Sequence, residues 1–119
     1  MITFEKVTVE NESVVKEMFK SHSLGERKVQ YCVKVDDTYI GVIDYSVQEE
    51  RAVLSQLIIH FDYQGYGYGT NTYFTFEEMM KQRNVKEIKV LQEKLTEKAK
   101  SFIESFGFAS EDGEYVKKI

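Results

Sequence analysis

At 119 residues and 42% hydrophobic content, the chain is long enough to bury one core and too short for two, so a single domain over residues 1–119 is expected. Its 16 Lys+Arg against 20 Asp+Glu give a formal charge of −4, which argues against a broad electrostatic grip on nucleic acid or on an anionic membrane. Cys32 is the sole cysteine, excluding an internal disulfide and a multi-cysteine zinc site; with no signal-type block and no stretch near the roughly 20 apolar residues of a membrane span, the expectation is a soluble cytoplasmic protein without a metal.

Ile2 to Val9 alternates and is rich in β-branched residues, which predicts a first strand. Asn11 is placed to cap a helix over Glu12 to Lys20 whose apolar stripe is Val14, Val15, Met18 and Phe19. Ser21 to Gly25 ends it, and His22 reads as a solvated histidine of a polar connector. Val29 to Val35 and Tyr39 to Val47 predict an antiparallel hairpin turning at Asp36-Asp37-Thr38. Cys32, inside the first of these strands with no histidine nearby in sequence, reads as a packing residue. After a turn at Glu49-Glu50-Arg51, Ala52 to Ile59 is apolar enough for a central strand buried on both faces, with Ser55 and Gln56 its only polar side chains.

Tyr63-Gln64-Gly65-Tyr66-Gly67-Tyr68-Gly69-Thr70 follows directly, and Thr70 to Gln82 reads as a helix on the spacing of Tyr73, Phe76 and Met80. Val85 to Leu91 is the next strand, and two strands joined across such a helix form a parallel βαβ unit. Thr96 or Gln92 starts a last helix with Ala99, Phe102, Ile103 and Phe106 on its apolar face and Gly107 as its stop. Phe108 to Ser110 and Tyr115 to Ile119 close as a hairpin across Glu111-Asp112-Gly113-Glu114.

Glycines at 65, 67 and 69 allow positive φ and close approach to an anion, and a helix starting there adds unpaired amides and a dipole. A P-loop needs a Gly-Lys-Ser/Thr ending, and Gly69 is followed by Thr70. A dinucleotide turn wants G-x-G-x-x-G early in a parallel fold, whereas this turn is G-x-G-x-G after antiparallel strands. A loop that merely turns a corner is the remaining plain reading.

The pattern Gln64-x-x-Gly67-x-Gly69 resembles the acetyl-CoA-binding signature Q/R-x-x-G-x-G/A of the GNAT family of N-acetyltransferases. The likeness extends through the following helix and strand to Gly107-Phe108, which looks like the end of that family's penultimate helix. It implies an α/β (mixed α+β) fold: a single GNAT-like domain with a central, mixed, mostly antiparallel sheet of six to seven strands flanked by about three helices. It also implies acetyl-CoA as cosubstrate. Amides of Gln64, Gly65, Tyr66, Gly67, Tyr68, Gly69 and Thr70 would hold the pyrophosphate, while Leu57, Ile58 and Ile59 pair with the pantetheine arm. A β-bulge near Ile58 to His60 would free such amides. Tyr66 and Tyr68 depart from the residues common there and either shield the ligand or pack.

Direct acetyl transfer to an amine needs a base, an oxyanion donor and a proton for the thiolate. The backbone N–H near Ile59 is the expected donor to the acetyl carbonyl. No acid lies within Ala52 to Ile59, leaving Glu49, Glu50, His60 and Asp62 as candidate bases, with His60 best placed. The family's usual general-acid tyrosine falls on Ile103, so water or a hydroxyl such as Tyr115 would protonate the thiolate. Two functions follow: an N-acetyltransferase acting on a primary amine of a small molecule or protein, or a catalytically weak acyl-CoA-binding module that senses or docks partners. A dimerisation surface on Tyr73 to Met80 leaves a homodimer open, although core packing explains that helix more simply. The connector Ser21 to Arg27, which would help wall the acceptor site, carries no distinctive motif.

Overall fold

The computed structural model describes residues 1–20, 29–91 and 95–119. Its elements are β1 (Ile2–Lys6), α1 (Glu12–Met18), β2 (Tyr31–Val35), β3 (Thr38–Gln48), β4 (Arg51–Ile59), a 3-10 turn (Phe61–Tyr63), α2 (Tyr68–Gln82), β5 (Glu87–Leu91), α3 (Glu97–Ser105), β6 (Ala109–Glu111) and β7 (Glu114–Lys118). The strands join in one seven-stranded sheet ordered β1-β2-β3-β4-β5-β7-β6. Pairs β1–β2, β2–β3, β5–β7 and β6–β7 are antiparallel and β4–β5 is parallel, so the expected mixed, mostly antiparallel sheet with three α-helices is present. The backbone divides into two compact units, Met1–Asp44 with Gln56–Phe76 and Tyr45–Ser55 with Glu77–Ile119. His22, the connector Ser21 to Arg27 and the alternative helix start Gln92 lie outside the described residues.

In the first unit β1 stops at Lys6 instead of reaching Val9, which is 90% exposed. Asn11 is the reason. Its Oδ1 accepts the Thr8 N–H at 2.7 Å while its Nδ2 donates to the Lys6 carbonyl and to Glu5 Oε2, each at 3.2 Å. Asn11 therefore occupies the N-cap position of α1 without making a side-chain cap; its hydrogen bonds hold the turn before the helix. Val15 and Phe19 of the expected stripe are buried, but Val14 faces out at 45% exposure, because a single i, i+4 pair suffices for so short a helix. These two side chains pack with Cys32 and Val42, and Met18 and Ile58 lie against them. Burial pushes the Cys32 thiol up to about 11, in keeping with a packing role.

The hairpin of β2 and β3 turns through Asp36 at a φ of +52°. Its register slips between Val33 and Lys34: Val33 faces Gly41 but Lys34 faces Tyr39, leaving Ile40 as an extra residue on β3. The irregularity thus resolved falls on β3, where Ile40 also offers its carbonyl to the His60 N–H at 2.8 Å. A Cβ on Gly41 would run into the Ile58 carbonyl oxygen and come within 3.0 Å of Ile59 Cδ1. Residues Ile40 to Tyr45 are all buried, so β3, rather than β4 as expected, is the strand covered on both faces. β4 alternates at its start, with Ala52 and Leu54 in and Arg51 and Ser55 out, and is only partly covered at Gln56, Leu57 and Ile58.

In the second unit β4 pairs with β5 through Arg51–Glu87, Ala52–Ile88 and Val53–Lys89, the parallel βαβ arrangement the sequence predicts. Thr96 caps α3 by accepting the Ala99 N–H at 3.1 Å, and Gly107 ends that segment at a φ of +97°. Ile103 and Phe106 are buried, whereas Phe102 is 36% exposed. Asp112 and Gly113, both at positive φ, form the closing hairpin turn.

Replacing Gly41 by alanine sets a side chain against backbone that cannot swing aside, and a loss of about 1–3 kcal/mol is expected in urea unfolding. Glu87 yields a pH prediction. Its carboxylate meets Lys118 Nζ at 2.8 Å and Arg51 Nε at 3.0 Å, and the Lys118 hydrogen bond holds its carboxyl below the usual range against the cost of burial. A depressed folded-state value means stability present above the unfolded value and lost as pH falls through the folded one. Unfolding titrations of Glu87→Gln should therefore show a deficit of about 1 kcal/mol at neutral pH that closes below the carboxylate range.

Candidate functional site

The chain leaves β4 at Ile59 and is tied back at once. Gln64 Nε2 donates to the Ile59 carbonyl at 2.8 Å, so this side chain braces the turn against the strand end. Between them the Tyr63 N–H reaches the His60 carbonyl at 2.9 Å, closing the 3-10 turn. Gln64 is extended, and Gly65 and Gly67 follow at φ of +86° and +82°, values that strain any residue with a Cβ. Gly69 takes no positive φ and lies in the first turn of α2, which begins at Tyr68, two residues ahead of its expected start. The alternating glycines thus divide into two that turn the chain and one inside the helix.

The Asn71 N–H is the first to reach back along α2, bonding the Gly67 carbonyl at 3.0 Å. Among the described residues the amides from Gly65 to Thr70 donate to no protein acceptor. A Cβ on Gly65 or Gly67 would meet no atom within 4 Å, so the space over both is open. A run of unpaired amides at a helix start, facing open space, fits a pyrophosphate without a cationic side chain. Tyr66 is 73% exposed, and its ring lies 6.3 Å from that of Tyr68, which lies 6.4 Å from Tyr63. Leu57 and Ile58 are half-buried and Ile59 is buried, an apolar strand end left partly open to solvent.

His60 stands between this turn and α1. Its ring is 6.0 Å from Phe19 and 6.2 Å from Tyr63, and its Nδ1 accepts the Asp62 N–H at 3.1 Å. That bond assigns the proton of the neutral ring to Nε2. A cleft of about 540 Å³ runs here, lined by Ser13, Val14, Glu17, Met18, His60, Asp62 and Tyr63. Glu17 and the α1 residues of this lining escaped sequence reading, because an exposed carboxylate on an amphipathic helix looks like any solvated face.

The other two candidate catalytic residues lie elsewhere in the chain. Glu50 is exposed in the turn before β4, its carbonyl accepting the Lys86 and Glu87 amides at 2.7 and 3.3 Å. Tyr115, 3% exposed on β7, donates its hydroxyl to Glu104 Oε1 at 2.7 Å; that bond, and then burial, pushes its phenol up. Glu50 and Tyr115 belong to the second unit and His60 to the first.

The acetyltransferase (GNAT) family model matches residues 3–108. The chain belongs to the GNAT family. No curated protein matches the sequence. Among solved structures, an acetyltransferase from Thermus thermophilus is similar at a TM-score of 0.81 and 18% identity, over 100% of this chain and 97% of that one. The PaiA N-acetyltransferase from Thermoplasma acidophilum, in complex with coenzyme A, is similar at 0.71 and 16%, over 100% and 99%. An Arabidopsis thaliana protein in complex with the bisubstrate analogue CoA-Ac-MVNAL is similar at 0.68 and 19%, over 97% and 95%. At these identities the likeness shows the fold. Acetyl-CoA, the cosubstrate of a GNAT acetyltransferase, fits the unpaired amides and open space of the glycine turn.

Gly67→Val tests the turn. The substitution meets no atom in the free protein, so its expected cost is the roughly 1–2 kcal/mol of a strained φ. The variant should keep the circular dichroism of the wild type and lose acetyl-CoA binding in calorimetric titration; a folded variant that binds normally would refute the assignment.

Proposed function

We propose that this GNAT protein is an N-acetyltransferase that moves the acetyl group of acetyl-CoA directly to a primary amine of a small molecule or protein. The observation that carries this reading is the pairing of a turn whose amides have no protein acceptor with a half-open apolar strand end, joined through the bond from Gln64 to Ile59. In this reading Gln64 braces the turn, the amides from Gly65 to Thr70 hold the pyrophosphate, and Leu57 to Ile59 guide the pantetheine arm.

Acetyl-CoA supplies the activated acyl group, and the residues of the chain orient it and manage protons. The N–H near Ile59 is the assigned donor to the acyl oxygen. The cleft beside His60 is the assigned acceptor site, since the carboxylates of Glu17 and Asp62 suit an amine that arrives as an ammonium ion, and Val14, Met18 and Tyr63 suit an apolar body. His60 is the assigned proton carrier; taking a proton at Nδ1 requires it to release the Asp62 amide, whose own carboxylate lies 3.7 Å from the same nitrogen. Water then supplies the proton that the departing thiolate takes up, because Ile103 has no proton to give and the Tyr115 hydroxyl is committed to Glu104.

Calorimetry with acetyl-CoA followed by free-thiol release across peptide N-terminal amines, lysyl peptides and polyamines tests the proposal. Binding together with accelerated thiol release on at least one amine is expected. Binding without turnover on any amine would leave an acyl-CoA-binding module, and absence of binding would sink both readings.

A further inference from the structure

Within the segment Gln56 to Phe76, three aromatic side chains are exposed: Phe61 at 59%, Tyr66 at 73% and Phe74 at 44%. An isolated apolar side chain on a surface is ordinary, so position decides which of them matters. Phe61 lies in the 3-10 turn with its ring 6.2 Å from that of His60, and Phe74 lies a helical turn beyond Thr70 with its ring edge-on to buried Tyr73 at 5.2 Å. Tyr66 is rooted between Gly65 and Gly67, inside the run of amides that donate to no protein acceptor among the described residues. A single methylene joins its ring to that backbone, so the ring stands beside whatever those amides hold.

The ring is steadied but not covered. It lies 6.3 Å from the Tyr68 ring at a tilt of 51°, and the half-buried Tyr68 ring lies in turn 6.4 Å from that of Tyr63, edge-on. Tyr68 thus takes the packing part, and Tyr66 keeps most of its surface in solvent. Gln56 to Phe76 contain no lysine or arginine, so what this segment offers a nucleotide is backbone amides and rings. Coenzyme A carries pantetheine on one side of its diphosphate and adenosine on the other. With the arm given to the strand end, a ribose tethers a flat, uncharged base to the phosphate at the turn, and stacking on an aromatic ring holds such a face without charge.

We propose that the ring of Tyr66 is the platform on which the adenine base of bound coenzyme A stacks. This rests on the acetyl-CoA reading above and extends it from the diphosphate to the nucleoside. The ring face does the binding and the phenol hydroxyl is not required. Tyr66 therefore reads the carrier and not the acyl group, and acetyl-CoA and CoA gain from it alike.

The test is calorimetry of CoA and of 4′-phosphopantetheine, which keeps the arm and a phosphate but lacks the nucleoside, with wild type, Tyr66→Ala and Tyr66→Phe. Tyr66→Ala should weaken CoA by about fivefold to 150-fold and lower its preference over 4′-phosphopantetheine by the same factor. Tyr66→Phe, which keeps the ring face, should bind CoA as the wild type does. Equal losses for both ligands would overturn the proposal, as would an unchanged CoA affinity in Tyr66→Ala. A second measurement uses the absence of tryptophan from the chain. In Tyr66→Trp the introduced indole is the sole one, and saturating CoA should quench its emission while saturating 4′-phosphopantetheine leaves it as it was. Emission that CoA does not change, or that both ligands change alike, also overturns the proposal. A wild type that binds no CoA overturns the acetyl-CoA reading as well; a wild type that binds CoA no better than Tyr66→Ala does overturns this inference alone.

Discussion

The structure depends on what β4 does along its length. Its first residues are held in the parallel pair with β5, and among the described residues that pairing stops at Val53, six residues before the strand ends. Beyond that point β4 keeps its extended backbone and its apolar side chains but is only partly covered. Such surface is costly to leave open in a chain of this size, and a strand end of this kind is where a long, partly apolar ligand replaces the missing cover. The glycine turn is the complementary piece in the proposed reading: a seat made of backbone amides alone would let a protein of net charge −4 hold a polyanion without a cationic patch.

Most of the architecture was legible because its signals are local. Alternation marked the strands, Asp112-Gly113 marked the closing turn, and the glycines of Tyr63 to Thr70 marked the turn that leads into α2. What escaped was tertiary. Nothing in Val14-Val15 says which of two adjacent valines turns inward, since the phase of a helix of seven residues is set by what it packs on. β4 reads as doubly buried because hydrophobicity reports suitability for burial, whereas coverage depends on the neighbouring strand. The extra residue at Ile40 and the bond from Gln64 to Ile59 likewise belong to register and to side-chain reach, neither of which leaves a periodic trace. Gln56 was visible as a polar interruption in an apolar run, but only packing shows that its amide goes unpaired.

Proton carriers leave a weaker trace in a sequence than a backbone anion seat does, for a physical reason. An anion seat made of backbone needs glycines, which few other structures demand in that spacing. A proton carrier needs only a titratable side chain in the right place, and such side chains are common. His60 is in a cleft yet already bonded at Nδ1, Glu50 belongs to a hairpin turn, and Tyr115 serves Glu104. Chain position already favoured His60 as base and left Tyr115 only an alternative to water as the thiolate's proton source; their hydrogen bonds show what each side chain is doing in the fold.

The bond from Gln64 to Ile59 has a metric consequence. It spans a single 3-10 turn and ties the start of the glycine turn to the end of the strand, so the separation between a diphosphate held there and a group lying along β4 would be set by the protein. The pair behaves as a ruler. A donor whose arm is shorter or longer than pantetheine would occupy the seat yet present its reactive end at the wrong rung of the strand, and discrimination between acyl carriers would follow from length before any chemistry begins.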